Sequence, residues 1–291
     1  MVGPPGTGKT MLAQALTSIL PPLTPEETLE VTQIWSAAGL LGPRAFLEQR
    51  PFRAPHQTAS PAAIVGGGSN PRPGEISLAH RGVLFLDEFP EFRRDILESL
   101  RQPLENGAML VSRVRGNLRF PARFALVAAM NPCPCGYYGD DERECRCSMF
   151  EVARYQKRVS GPLLDRIDIQ VTVPRVAIET LRASGAGAHA LRAMRDEVAR
   201  ARSLAEARLA ATGRFTNAEM SAKDVDACVE LEPDAEAFVT TAFEKAFISP
   251  RGYYRILKVA RTIADLAGRA RVASEDIREA FGYRVRSADP V

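Results

Sequence analysis

Residues 3–10 read Gly3-Pro4-Pro5-Gly6-Thr7-Gly8-Lys9-Thr10, and this octet constrains the fold more than any other stretch. It has the form G-x-x-x-x-G-K-[ST], a loop whose backbone amides converge on phosphate oxygens before the chain enters a helix. Such a loop normally joins a buried parallel strand to that helix, so an α/β architecture is expected. The helix is legible: Leu12, Ala15, Leu16 and Ile19 share one face after Lys9, and Pro21-Pro22 stops it. In this geometry Lys9 reaches the terminal phosphates of ATP, and Thr10 ligates Mg²⁺.

The other half of a nucleotide site is an acid at the end of a core strand. Gly82-Val83-Leu84-Phe85-Leu86-Asp87-Glu88 supplies a continuous apolar run closed by two carboxylates. Asp87 is expected to organise Mg²⁺, and Glu88 to polarise the attacking water. Asn131 follows a further apolar strand, Phe124 to Ala129, and is placed to touch a γ-phosphate or that water. Taken alone, an Asn-Pro pair is also ordinary turn chemistry.

Between these motifs the pattern alternates. Glu26 to Ala38 and Arg94 to Leu104 read as helices, and Pro51 to Gly74 as mostly irregular. Met109 to Phe124 reads as a hairpin turning near Gly116-Asn117, and Ile167 to Val173 as a third buried strand. After Pro174 only helices are predicted: 189–211, 221–230, 234–247, 252–267 and 274–281. The division is therefore an α/β core over 1–174 and a helical region over 175–291.

No stretch is long and apolar enough to span a bilayer. Net charge is only +3, but just five of the 38 basic residues are lysine. Arginine excess suits phosphate forks and equally reflects base composition of the gene. Of five cysteines, Cys133, Cys135, Cys145 and Cys147 crowd into one loop as two C-x-C pairs. This is no disulfide framework; it reads as a local Zn²⁺ knuckle in a cytoplasmic protein, or as four reduced thiols. Cys228 lies in an apolar helical context, and the histidines show no metal spacing.

Together these residues resemble the AAA+ ATPases, in the branch of the magnesium chelatase ATPase subunit and the replicative MCM helicases. GEISLAHRGVLFLDEFPEF (74–92) and SGPLLDRIDIQV (160–171) carry that resemblance. AAMNPCPCGYYGD (128–140) and YYRILKVARTIADLAG (253–268) are similar to the magnesium-chelatase-like YifB/ComM group. The resemblance implies a P-loop AAA+ core followed by a helical lid, and a homo-oligomeric ring, most simply a hexamer. It further implies that Asn131 is the sensor-1 residue, Arg166 an arginine finger entering a neighbouring subunit, and Arg251 the sensor-2 arginine. Residues 52–72 look like this branch's insertion in helix 2, and 109–120 like the hairpin before sensor 1, where Arg113, Arg115 and Arg119 are candidates for gripping a DNA backbone.

The same resemblance leads one to expect a strand before the phosphate loop and an N-terminal domain similar to the Lon protease C-terminal domain. Only Met1 and Val2 precede Gly3, so the sequence reads as a fragment whose first strand is missing and whose neighbouring strand edges lack a partner. Three functions follow: an ATP-driven ring motor acting on single-stranded or branched DNA, a chelatase-like ATPase remodelling a protein partner, or an inactive truncated scaffold.

Overall fold

The computed structural model describes residues 1–68, 71–113, 116–176, 187–246 and 249–284. Its centre is a parallel sheet of β1 (Phe52–Arg53), β4 (Val83–Leu86) and β7 (Ala125–Ala128), in the order β1-β4-β7. Between β1 and β4 lie β2 (Gly66–Gly67) and β3 (Arg72–Pro73), a small antiparallel pair. Between β4 and β7 stands a hairpin of β5 (Ala108–Arg113) and β6 (Gly116–Pro121).

Strand β4 is buried throughout, and its side chains alternate between two cores. Leu84 and Leu86 join Ile64, Ile76, Phe89, Ile96, Leu97, Leu100 and Leu163 on one face. Phe85 faces the other way, against Ala13 of the helix Lys9–Ile19 and Ala129, with Phe52 stacked 6.0 Å away. A third cluster lies in the helical region, where Leu209, Met220, Val239, Ile256, Leu257, Ile277 and Phe281 converge.

The edge of β7 is not left open beside the phosphate loop. Val2 forms parallel bridges to both Met130 and Thr172. The Met1 amine donates to the Ala128 carbonyl at 2.8 Å, Gly3 N to Met130 O at 3.2 Å, and Val173 N to Val2 O at 2.7 Å. Residues 1–3 thus lie between the β7 end and residues 171–173 and satisfy neighbours on both sides, which corrects the expectation of unpaired edges. Gly3 is required there, because a Cβ would sit 2.2 Å from the Val173 carbonyl oxygen.

Three other expectations change. Residues 167–173 make a bridge at Thr172 and no strand, since their partner is the short run Met1–Gly3 and residues 165–170 are engaged by the helical region instead. The helix expected over 94–104 is two, Arg94–Ser99 and Arg101–Asn106, because Pro103 has no N–H to donate back to Ser99. The hairpin reverses between Arg113 and Gly116, not at 116–117. Pairing of Met109 with Phe120 and Val111 with Leu118, with Met109 and Val111 in the core, sets that register.

The helices after 187 are Gly187–Leu209, Ala222–Cys228, Pro233–Ala246, Pro250–Leu266 and Ser274–Gly282. Ser221 and Asp224 form a full capping box for the second of these. Arg261 and Asp265, each 1% exposed, form a buried ion pair within Pro250–Leu266. Arg208 and Asn217 also bind Asp265. Cys228 is partly buried against this core.

Candidate nucleotide-binding site

The phosphate loop closes over its own lysine. Gly6 and Gly8 both take φ +80, a backbone state that glycine adopts without the Cβ penalty. Lys9 begins the helix Lys9–Ile19, and its Nζ donates to Gly3 O and Pro4 O, each at 2.8 Å, and to Asn131 Oδ1 at 3.3 Å. The side chain is buried. Burial lowers its pKa below the ordinary lysine range, while Asp87 opposes the shift. Thr7 Oγ1 donates to Pro4 O at 3.0 Å and braces the loop from inside.

The acids meet this loop from β4. Thr10 Oγ1 donates to Asp87 Oδ2 at 2.8 Å. A hydroxyl and a carboxylate oxygen converging here are the hard donor set that suits Mg²⁺. Asp87 Oδ1 accepts the Glu88 amide at 2.9 Å. Glu88 sits at φ 50, ψ 44, a left-handed conformation costly for a residue with a Cβ. The next amide, Phe89 N–H, donates to Ala129 O at 2.9 Å and fixes that turn to the β7 end. Lys9, Thr10, Asp87, Glu88 and Asn131 are therefore brought together from three separate segments.

One member of the cluster has no sequence signal. Gln57 Nε2 donates to Glu88 Oε2 at 2.8 Å and holds that carboxylate. It lies in the irregular segment after β1, where no spacing or periodicity marks it.

The two predicted arginines lie at a different place. Arg166 follows the short helix Gly161–Leu164, and Arg251 lies in the first turn of Pro250–Leu266, capped by Ser249. Both donate Nη2 to the same oxygen, Glu105 Oε1, Arg251 at 2.8 Å. Neither makes a hydrogen bond to the Lys9 cluster; they form a separate pair. Glu105 also escaped the sequence reading, since an acid near a helix end is common.

The hairpin carries Arg119 exposed on β6 opposite Leu110, and Arg113 at the end of β5 paired with Gly116. Arg115 lies outside the described residues.

The four knuckle cysteines do converge, with all their sulfurs within 4.8 Å of one another. Cys133 lies 3.4 Å from Cys135 and 3.7 Å from Cys145, and Cys135 lies 3.6 Å from Cys145. Tetrahedral Zn²⁺–thiolate bonds place sulfurs about 3.8 Å apart, so the donor set fits that ion. Burial opposes ionisation of Cys135, but the amides of Arg146 and Tyr137 outweigh it and bring this thiol down to about 6. The knuckle abuts the phosphate loop: a Cβ on Gly136, at φ +88, would lie 2.8 Å from Pro5 Cδ. Arg175 anchors its far side through Asp140 at 3.0 Å and Glu142 at 3.2 Å.

Comparison with known proteins matches the chain to one family over nearly its whole length. The profile for magnesium chelatase, subunit ChlI, covers residues 1–181, and that for the ChlI C-terminal region covers 189–284. The chain belongs to the magnesium chelatase ChlI family. Within this family of AAA+ P-loop proteins, it is 44% identical to the competence protein ComM of Haemophilus influenzae over 283 residues, 97% of this chain and 54% of that protein. It is 41% identical to the uncharacterized protein YifB of Salmonella typhimurium over 285 residues, 98% of this chain and 55% of the other. The magnesium-chelatase 38 kDa subunit of Rhodobacter capsulatus is 28% identical over 145 residues, covering 45% of this chain and 41% of that subunit. The chain spans about half the length of ComM and YifB. No helix among the described residues is long and apolar enough to cross a membrane.

Proposed function

We propose that this chain is the ATP-hydrolysing part of a ring motor that acts on DNA. The convergence of Lys9, Thr10, Asp87, Glu88 and Asn131 carries the hydrolytic half of that reading. Lys9 exchanges the Gly3 and Pro4 carbonyls for phosphate oxygens when ATP enters. Thr10 and Asp87 would hold Mg²⁺, and the ion would supply charge neutralisation on the phosphates. Glu88 orients and polarises the attacking water, and Gln57 steadies Glu88. Asn131, already against Lys9, contacts the γ-phosphate. Residues 1–174 form the nucleotide-binding core and 175–291 a helical lid carrying Arg251.

The DNA half rests on the hairpin and on likeness to ComM. Arg119 lies exposed on β6, and with Arg113 and Arg115 of the same sequence stretch it would offer cations to phosphates without reading bases, which suits travel along any sequence. Arg166 and Arg251 serve a neighbouring site, so activity requires a homo-oligomer, most simply a hexameric ring in the cytoplasm. Branch migration during recombination or uptake of DNA is the role this motor fits. The four cysteines would hold a structural Zn²⁺, whose four thiolate bonds would stiffen the segment after Asn131. The stretch similar to the chelatase 38 kDa subunit supports a second reading, remodelling of a protein partner.

The test is ATP turnover with no DNA, with single-stranded DNA and with forked DNA, at two salt concentrations. Stimulation that weakens with salt is expected. Turnover indifferent to every DNA would favour the protein-remodelling role, and absence of turnover would sink both.

A further inference from the structure

Glu105 joins three things that otherwise lie apart. It occupies the last turn of Arg101–Asn106, just ahead of the hairpin strand that starts at Ala108. Its Oε1 accepts from Arg166 Nη2 and, at 2.8 Å, from Arg251 Nη2. The Arg166 side chain is only 10% exposed, and its other terminal nitrogen donates to Pro162 O. An arginine held in this way is not free to reach another subunit. Arg251 is half exposed and shares the same oxygen.

Two guanidinium groups drawn to one carboxylate oxygen form a cluster with one uncompensated positive charge. A phosphate offers more charge and more acceptor oxygens than a carboxylate, and planar guanidinium forks match it well. We infer that Glu105 is a positioning residue that parks Arg166 and Arg251 together, and that a phosphate of an adjacent subunit's ATP replaces it, releasing both arginines in one step. This rests on the proposed hydrolysis at a shared subunit boundary. It adds that assembly competes with an intrachain contact, and that the displaced carboxylate is left at the foot of the hairpin.

The test compares the chain with Glu105→Gln, which keeps the shape and removes the charge. Turnover is measured against chain concentration at saturating ATP. Glu105→Gln should reach half-maximal specific turnover at about fivefold lower chain concentration, because the amide oxygen still accepts from the guanidinium groups but the ion-pair attraction is lost. Arg166→Ala should lose turnover, and the double variant Arg166→Ala with Glu105→Gln should regain none of it. An unchanged or higher half-maximal concentration in folded Glu105→Gln overturns the inference, as does a gain in the Arg166→Ala background. If Glu105→Gln does not fold, Glu105→Asp, with a shorter reach, should show a smaller shift in the same direction. A wild-type chain without turnover refutes the proposed hydrolysis. Rotation of the arginine guanidinium groups, read by nuclear magnetic resonance, then decides the parking contact independently. Hindered rotation of Arg166 that Glu105→Gln frees upholds it, and free rotation in the wild type overturns it.

Discussion

Gly136→Ala tests whether the cysteine knuckle and the phosphate loop behave as one body. The substitution has two costs. At φ +88 any Cβ is strained, which is of the order of 1–2 kcal/mol for a left-handed residue. The new methyl group would also stand 2.8 Å from Pro5 Cδ, well inside ordinary contact. Relieving such overlap in packed surroundings costs about 1–3 kcal/mol. Gly139→Ala separates the two terms. Gly139 lies in the same loop at φ +73, and its Cβ would meet nothing within 4 Å. Gly139→Ala should therefore lose about 1–2 kcal/mol in urea unfolding and leave ATP affinity unchanged. Gly136→Ala should lose more and, because Pro5 belongs to the phosphate loop, should weaken a fluorescent ATP analogue by about tenfold, equivalent to about 1.4 kcal/mol. Equal affinities in the two variants would refute the coupling.

Gln57→Ala frees Glu88 without touching the phosphate loop, so turnover should fall about tenfold at unchanged ATP affinity in equilibrium binding. Asp265→Ala leaves Arg261 buried without its carboxylate and should cost about 3–5 kcal/mol in urea unfolding. His80 is buried; its Nδ1 accepts the Arg123 amide at 3.0 Å and its Nε2 faces Glu30 at 3.0 Å. Burial lowers its pKa despite the opposing pull of Glu30. The unfolded chain therefore binds the proton more readily, and His80's share of stability is complete above about pH 6.5 and declines as pH falls below it. Thermal midpoints measured from pH 7.5 to 5.5 should show that decline, and His80→Gln should flatten it. Treatment with a Zn²⁺ chelator should lower the thermal midpoint of the wild type and leave Cys147→Ser little affected.

Local features were readable wherever a short motif contains its own geometry. The phosphate loop, the helix after it and the closing acids of β4 need only neighbouring residues to declare themselves. The cysteine knuckle is legible for the same reason, as its ligands span a single loop. What stayed hidden depends on contacts between distant segments. Gln57 gains its meaning only when the turn after β1 is laid against Glu88. Glu105 gains its meaning only when Arg166 and Arg251 arrive at one oxygen. Residues 167–173 look like a strand by composition, but pairing, not apolar content, decides whether a strand forms.

Residues 165–173 are tied at both ends. Toward the helical region, Arg255 binds Asp168 and the Arg166 carbonyl, each at 2.7 Å, Arg284 binds Asp165 at 2.8 Å, and Gln170 N donates to Tyr283 O at 3.0 Å. Toward the phosphate loop, Val171 O and Val173 N hold Val2. Such a tether works equally in both directions. If nucleotide favours one tilt of the helices by some factor, imposing that tilt must tighten nucleotide by the same factor. Under that condition, a load or partner that pulls on the helices would also be an effector of the nucleotide site, with a strength fixed by thermodynamic reciprocity.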